Sequence, residues 1–268
     1  MTIDKKKHVI ITGGSSGIGK ALACHLACQG YNVSIIAQDK SRLTNAAKEI
    51  RHFCQNKSHV VTLSADVSQE LSINKAIVSA INLQGSPDIL ITSAGIAYPD
   101  YFDNLSTEIF EKSITINYLG SLYAIKTVFP YMKKNKFGHI VMISSGAGLM
   151  GLFGYSAYSP SKFAIRGLAE SLRPEFKRLG IKISIAYPPD TDTPQFSQEN
   201  LTKPQETKKI LGPMKLWTAD DIAKCIIRGI NKNKFHITPG LTTRLLRFSH
   251  SFLFKPLNYY FDKIITPK

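Results

Sequence analysis

The chain has 268 residues, 34 Lys and Arg against 19 Asp and Glu, a formal net charge of +15 and 43% hydrophobic residues. Length and apolar content exclude a disordered chain and suffice for one sizeable domain. The four cysteines (Cys24, Cys28, Cys54, Cys225) form no CxxC pair; neither a disulfide framework nor a metal site is expected, and a reducing compartment is the default.

In chain order, short apolar strands alternate with amphipathic helices. His8–Thr12 is a continuous apolar run, as a buried parallel strand should be. Residues 17–30 read as a helix, Asn32–Ala37 as a strand, 41–54 as a helix, Val60–Ser64 as a strand and 73–83 as a helix. Strands are predicted at 87–92 and 139–144, separated by a long helical stretch through Tyr118 and Phe129. A helix over 157–179, a strand over 182–186 and a loop rich in Pro, Thr and Asp follow. This alternation predicts an α/β fold: one doubly wound, Rossmann-like parallel sheet with helices on both faces. Residues 194–217, polar at the centre, are expected to form a mobile substrate lid.

The C-terminal segment, residues 241–268, differs in character. Leu245, Leu246, Phe248, Phe252, Leu253 and Phe254 alternate with Arg244, Arg247 and Lys255, and Tyr259, Tyr260 and Phe261 follow. A helix closing the domain or covering a subunit partner fits this pattern, and an interfacial membrane segment fits it equally. The net charge suits an anionic membrane or a phosphorylated ligand. Nucleic acid is not expected, because no basic stripe with interleaved aromatics and no zinc or RNA-binding motif occurs. Met1 to Lys7 is polar without a signal-peptide pattern, and no uncharged apolar run reaches spanning length. The expected location is the cytoplasm, with any membrane contact peripheral at the cytoplasmic face.

Two constellations carry chemistry. Thr12-Gly13-Gly14-Ser15-Ser16-Gly17-Ile18-Gly19 follows a strand and opens a helix. Glycines there let the backbone turn tightly against a pyrophosphate, whose charge the helix N-terminus favours. At the end of the second strand, Gln38 stands where a carboxylate would repel a ribose phosphate, and Lys40 and Arg42 stand just beyond. NADP(H) is therefore expected over NAD(H), with Arg42 as the favoured phosphate partner. Asp66 and Val67 are placed to meet an adenine, and Ala94 and Gly95 end a strand where backbone passes close to the cofactor. The second constellation is Tyr158 and Lys162, one helical turn apart, with Ser145 upstream. A free phenol has a pKa of about 10, and a neighbouring ammonium lowers it; a serine hydroxyl reaching the same point can hold a carbonyl oxygen. This suits proton transfer to a ketone while a cofactor supplies hydride.

These motifs together resemble the short-chain dehydrogenase/reductase family, over roughly residues 7–240. Thr12, Gly13, Gly17 and Gly19 match its glycine motif; Thr92-Ser93-Ala94-Gly95 departs from its usual NNAG but keeps Ala-Gly. The resemblance implies a catalytic four of Asn117, Ser145, Tyr158 and Lys162. Tyr158 donates the proton, Lys162 lowers the Tyr158 pKa and binds the nicotinamide ribose, Ser145 orients the carbonyl, and Asn117 holds a water linking Lys162 to solvent. Pro188, Thr191 and Thr193 are implied at the nicotinamide, with Pro189 in place of the family's glycine. It further implies a homodimer or homotetramer and a domain spanning 1–240. The stretches 117–121, 151–154, 161–170, 186–194 and 199–207 narrow the resemblance to a branch that reduces the keto group of a long-chain amino ketone lipid with NADPH. In this basic protein a substrate amine needs a local carboxylate, so Asp190 or Asp192 is expected to pair with it; simple turn formation explains both residues as well. The rival expectations are reduction of another lipophilic carbonyl (steroid, retinal, fatty acyl) and a nucleotide-sensing protein without turnover.

Overall fold

A computed structural model describes residues 6–55, 58–212 and 215–265. In chain order the elements are β1 (His8–Thr12), α1 (Gly17–Cys28), β2 (Asn32–Ala37), α2 (Lys40–Phe53), β3 (Val60–Ser64), α3 (Glu70–Gln84), β4 (Ile89–Thr92), α4 (Thr107–Ser113), α5 (Gly120–Asn135), β5 (Gly138–Ile143), α6 (Tyr158–Lys177) and β6 (Ile181–Ala186). They continue with β7 (Thr191–Asp192), α7 (Pro194–Thr202), α8 (Gln205–Leu211), β8 (Trp217–Thr218), α9 (Ala219–Asn231), β9 (His236–Ile237) and α10 (Leu241–Ile265). Seven strands form one sheet in the order β3-β2-β1-β4-β5-β6-β9, parallel throughout. The doubly wound sheet of the sequence reading is therefore observed.

Strand alternation divides the core into two layers. Val9 and Ile11 of β1 join Val33 and Ile35 of β2 beneath α1, α2 and α9. Ile10 and Ile36 face the other way, into the layer of α3, α5 and α6. The helices are built to match. In α2, Leu43, Ala46, Ala47 and Ile50 recur at helical spacing and are buried. Asp39 caps that helix by accepting the Arg42 backbone N–H at 2.9 Å, so the carboxylate just past β2 has a structural task. In α9, Thr218 caps the Asp221 N–H at 3.0 Å, and Ile222, Ala223, Ile226, Ile227 and Ile230 form the buried face.

Chain order reverses between β1 and β4, whose neighbours lie on opposite sides. The carboxyl ends of those strands leave a crevice where ligands bind in open α/β sheets, and both the glycine loop and Ala94-Gly95 start there. Three features differ from the sequence expectation. The stretch before α5 contains a π-helical turn over Ile114–Leu119. The sheet gains a seventh strand, β9, too short for a periodic signal. The proposed lid is two helices with buried residues, Glu199 in α7 and Thr207 in α8; Pro213 and Met214 lie outside the described residues, as do the side chains of Phe252, Leu253 and Phe254.

Candidate active site

The glycine loop is shaped by backbone contacts. Gly13 has φ +70°, and a Cβ there would lie 2.7 Å from the Ala94 backbone nitrogen. A Cβ at Gly19 would run into the Gly13 carbonyl. Ser16 stands at the N-cap of α1 without a side-chain cap hydrogen bond. The first N–H groups of α1 thus remain directed at the crevice, as an anionic pyrophosphate requires.

From this loop a cavity of about 980 Å³ runs across the carboxyl end of the sheet. Gly13, Ser15, Ser16, Ile18, Gly19 and Arg42 line one end; Ala94, Gly95, Ser145, Tyr158 and Lys162 line the middle. Pro188, Asp190, Thr191 and Thr193 join the wall, and so do Leu241, Leu246, Tyr260 and Phe261 of α10. The wall is mainly apolar beyond Tyr158, where Leu152, Phe196, Ile210 and Leu211 contribute. Loop, helix terminus and cavity size fit a dinucleotide together with a second ligand.

Tyr158 opens α6 and is 7% exposed, and Lys162, one turn later, is 5% exposed. The Lys162 ammonium lies over the Tyr158 ring, 5.5 Å from its centroid, and donates to the Ile143 carbonyl at 3.1 Å. Ser145 and Gln195 act on the Tyr158 hydroxyl and favour its ionised form. Ser144 and Ser145 both line the cavity, but the Ser144 hydroxyl donates to the Lys162 carbonyl at 3.1 Å, which leaves Ser145 as the serine to hold a substrate oxygen.

Burial dominates the electrostatics of this pair. It pushes the Tyr158 phenol well above its ordinary pKa, and the negative charges of Glu199 and Asp190 push the same way, against the opposite influence of Ser145 and Gln195. Burial also lowers Lys162 from 10.5 to about 8, opposed by Glu199. Both groups are desolvated, and burial is the largest influence on each. Tyr158 is a neutral proton donor here, the form that reduction requires.

Several residues expected at the site do not line this cavity. Gln38 donates to Asp66 at 3.3 Å at the sheet rim, and Asp66 accepts from the Ser68 N–H and hydroxyl, ordering its own loop. Val67 is core, beneath Gly120, where a Cβ would lie 3.0 Å from it. Gly17 turns against Thr193 and not into the cavity. Asp192 is exposed and only Asp190 of the pair reaches the wall. Asn117 is fully buried: its Oδ1 accepts the Ile96 N–H at 2.8 Å, and its Nδ2 donates to the Ile96 carbonyl at 3.0 Å and the Ser161 hydroxyl at 2.8 Å. It clamps the loop after β4 to α6, directly behind Gly95 and Lys162. Thr193, besides lining the cavity, caps α7 by accepting the Phe196 N–H at 3.2 Å. Sequence reasoning missed Tyr155, Gln195 and Glu199. Tyr155, one helical turn before Tyr158, was the available signal; the other two arrive from α7.

Comparison with known proteins agrees with this geometry. The family model described as short chain dehydrogenase matches residues 7–204. The 3-ketodihydrosphingosine reductase of Bos taurus is 42% identical over 235 residues, covering 87% of this chain and 71% of the relative. The Dictyostelium discoideum protein of the same name is 40% identical over 278 residues, covering 98% of this chain and 83% of the relative. A solved short-chain dehydrogenase from Sphingobium yanoikuyae in complex with NADPH has a TM-score of 0.79 at 25% identity, over 94% of this chain and 95% of that one. By the extent of these matches, the chain belongs to the short-chain dehydrogenase/reductase family of oxidoreductases.

Proposed function

We propose that the protein reduces the 3-keto group of 3-ketodihydrosphingosine to sphinganine, in sphingolipid synthesis, with NADPH as reductant. The observation that carries this reading is the single cavity that joins the glycine loop to Tyr158 and continues between apolar residues of α7, α8 and α10. Relatives at 40–42% identity bear that activity in their names, and a structural neighbour holds NADPH.

When bound, the cofactor supplies hydride to the carbonyl carbon. Tyr158 donates its proton to the carbonyl oxygen, Ser145 hydrogen-bonds that oxygen, and the Lys162 ammonium stabilises the phenolate left behind. Asn117 holds the backbone behind Lys162. The pair α7–α8 serves as the lid over the alkyl chain. The exposed Leu245, Phe248 and Tyr259 of α10, with Arg244 among them, support peripheral contact with an anionic membrane that delivers the lipid; among the described residues no helix is long and apolar enough to cross a membrane.

The direct test is purified protein with NADPH and, in parallel, 3-ketodihydrosphingosine, a steroid ketone and a long-chain aldehyde, followed at the nicotinamide absorbance. The sphingoid ketone should give the highest kcat/KM; a steroid or aldehyde turned over in its place would contradict the substrate. Arg42 tests the cofactor. It reaches the cavity wall from the first turn of α2, and among the described residues its ion pair is with Asp39, 3.6 Å away. Losing a charged phosphate contact costs about 1.5–3 kcal/mol, so Arg42→Ala should raise the KM for NADPH roughly 10- to 100-fold and that for NADH far less. Equal changes for both would remove Arg42 from the site.

Lys162 gives a pH dependence. Its cationic form is the useful one, and its pKa is lowered to about 8. As pH rises through that value the ammonium is lost, so kcat/KM for reduction should fall on the alkaline side. A profile still climbing at about pH 10 would contradict this role.

A further inference from the structure

A carboxylate in the cavity has no task in the chemistry above. Glu199 projects from α7 into the wall and is 8% exposed. One oxygen accepts the Tyr155 hydroxyl at 2.8 Å, and the other accepts the Gln195 amide at 2.9 Å. Gln195 also acts on the Tyr158 hydroxyl, favouring its ionised form, and the Tyr155 ring lies 5.7 Å from the Tyr158 ring. Glu199 is therefore linked to the proton donor through a single side chain on each of two routes.

The Lys162 ammonium feels the Glu199 charge, but no cation among the described residues pairs with it directly. The nearest basic residue along α7, Lys203, places its ammonium over the rings of Phe196 and Tyr155, at 4.6 and 6.0 Å. A buried carboxylate is costly unless something positive meets it, and in a chain of net charge +15 no general shortage of cations explains its isolation. The charge also makes the Tyr158 phenolate harder to form, since it raises the Tyr158 pKa, although it helps to keep Lys162 protonated. A ligand cation would offset both costs.

We infer that Glu199 is the residue that receives the primary ammonium group on the carbon next to the substrate ketone, and so sets selectivity for an amino ketone over a plain ketone. The inference rests on the amino ketone reading above. Gln195 and Tyr155, the two residues that hold the Glu199 carboxylate, line the same cavity as Tyr158 and Ser145, and the Tyr155 ring lies 5.7 Å from that of Tyr158, within reach of the carbon next to a carbonyl held there. The rival carboxylates are less suited. Asp192 is exposed and off the wall. Asp190 lines the wall, but burial raises its pKa toward the neutral form, and it already feels the charge of Lys203.

The experiment compares wild type with Glu199→Gln on 3-ketodihydrosphingosine and on its analogue carrying hydrogen in place of the amine. Wild type should prefer the amino ketone. The ratio of the two kcat/KM values should fall on the order of 10- to 100-fold in the variant, the size of a charged hydrogen bond. A ratio that survives, with both substrates losing equally, overturns the inference and leaves the substrate reading intact. Wild type that reduces only the amine-free ketone overturns the substrate reading itself. A crystal of wild-type protein with NADP+ and sphinganine needs no variant to fold: the amine nitrogen within hydrogen-bond distance of the Glu199 carboxylate supports the assignment, and an amine directed at Asp190 or solvent overturns it.

Discussion

Replacing Tyr158 by Phe should lower kcat for ketone reduction by between about 10²- and 10⁴-fold, the usual worth of a positioned proton donor, while NADPH still binds. The change deletes one hydroxyl. The ring stays packed against Tyr155, and Lys162 keeps its bond to the Ile143 carbonyl. The cofactor end of the cavity, at the glycine loop and Arg42, is untouched. Trp217, the single tryptophan of the chain, lines the same cavity, so its fluorescence reports cofactor binding separately from turnover. An unchanged binding curve with kcat reduced is the expected pair of results. Turnover within about tenfold of wild type would mean that another group delivers the proton.

Asn117→Ala should be the most damaging change outside the reacting atoms. The side chain, itself fully buried, satisfies both backbone groups of half-buried Ile96 and ties them to buried Ser161. Ser161 keeps its other bond, to the Tyr158 carbonyl at 2.7 Å, but the Ile96 N–H and C=O lose the only side chain that meets them here. Each orphaned buried group costs about 1–3 kcal/mol, so a loss of about 2–6 kcal/mol is expected. For a chain of this size that is a fall in Tm of roughly 5–20 °C. Activity should fall as well, because Gly95 and Lys162 pack against the same side chain. A water relay alone, the role implied by family resemblance, predicts lost kcat at unchanged Tm. Thermal melts and kcat measured on one preparation separate the clamp from the relay.

These two residues also mark how far the sequence could be read. The sheet was legible because strands such as Val9-Ile10-Ile11 and Ile89-Leu90-Ile91 are buried on both faces and read as unbroken apolar runs. The glycine loop was legible because its chemistry is local: one strand end, one turn, one helix start. Tyr158, Lys162 and Ser145 share a short stretch and came out together. What failed depends on contacts between distant segments. The π-turn at Ile114–Leu119 adds one residue per turn and leaves no mark on polarity, so the inward aim of Asn117 could be matched to a family position but not given its bonds. Gln38, Asp66 and Val67 were placed by spacing from the cofactor motifs, whereas their own hydrogen bonds and packing hold them at the rim and in the core. Glu199 looked like one polar residue among many in a loop. Only the docking of α7 against Tyr155 turns it into a buried charge. For the α10 segment a helix closing the domain or covering a partner and an interfacial membrane segment fitted the sequence equally; in the structure Leu246 and Phe261 form part of the cavity wall.

The central claim is that hydride from bound NADPH reaches the carbonyl carbon of a sphingoid ketone while Tyr158 supplies the proton. The measurement that tests it most directly uses wild-type protein, 3-ketodihydrosphingosine and NADPH deuterated at both positions of the nicotinamide C4. Mass spectrometry of the product should find sphinganine carrying one deuterium at C3, in amount equal to the NADPH oxidised, and the Tyr158→Phe protein should form it hundreds of times more slowly, about the middle of the range for a lost proton donor. Sphinganine without deuterium, or NADPH left unoxidised beside intact ketone, would contradict the account.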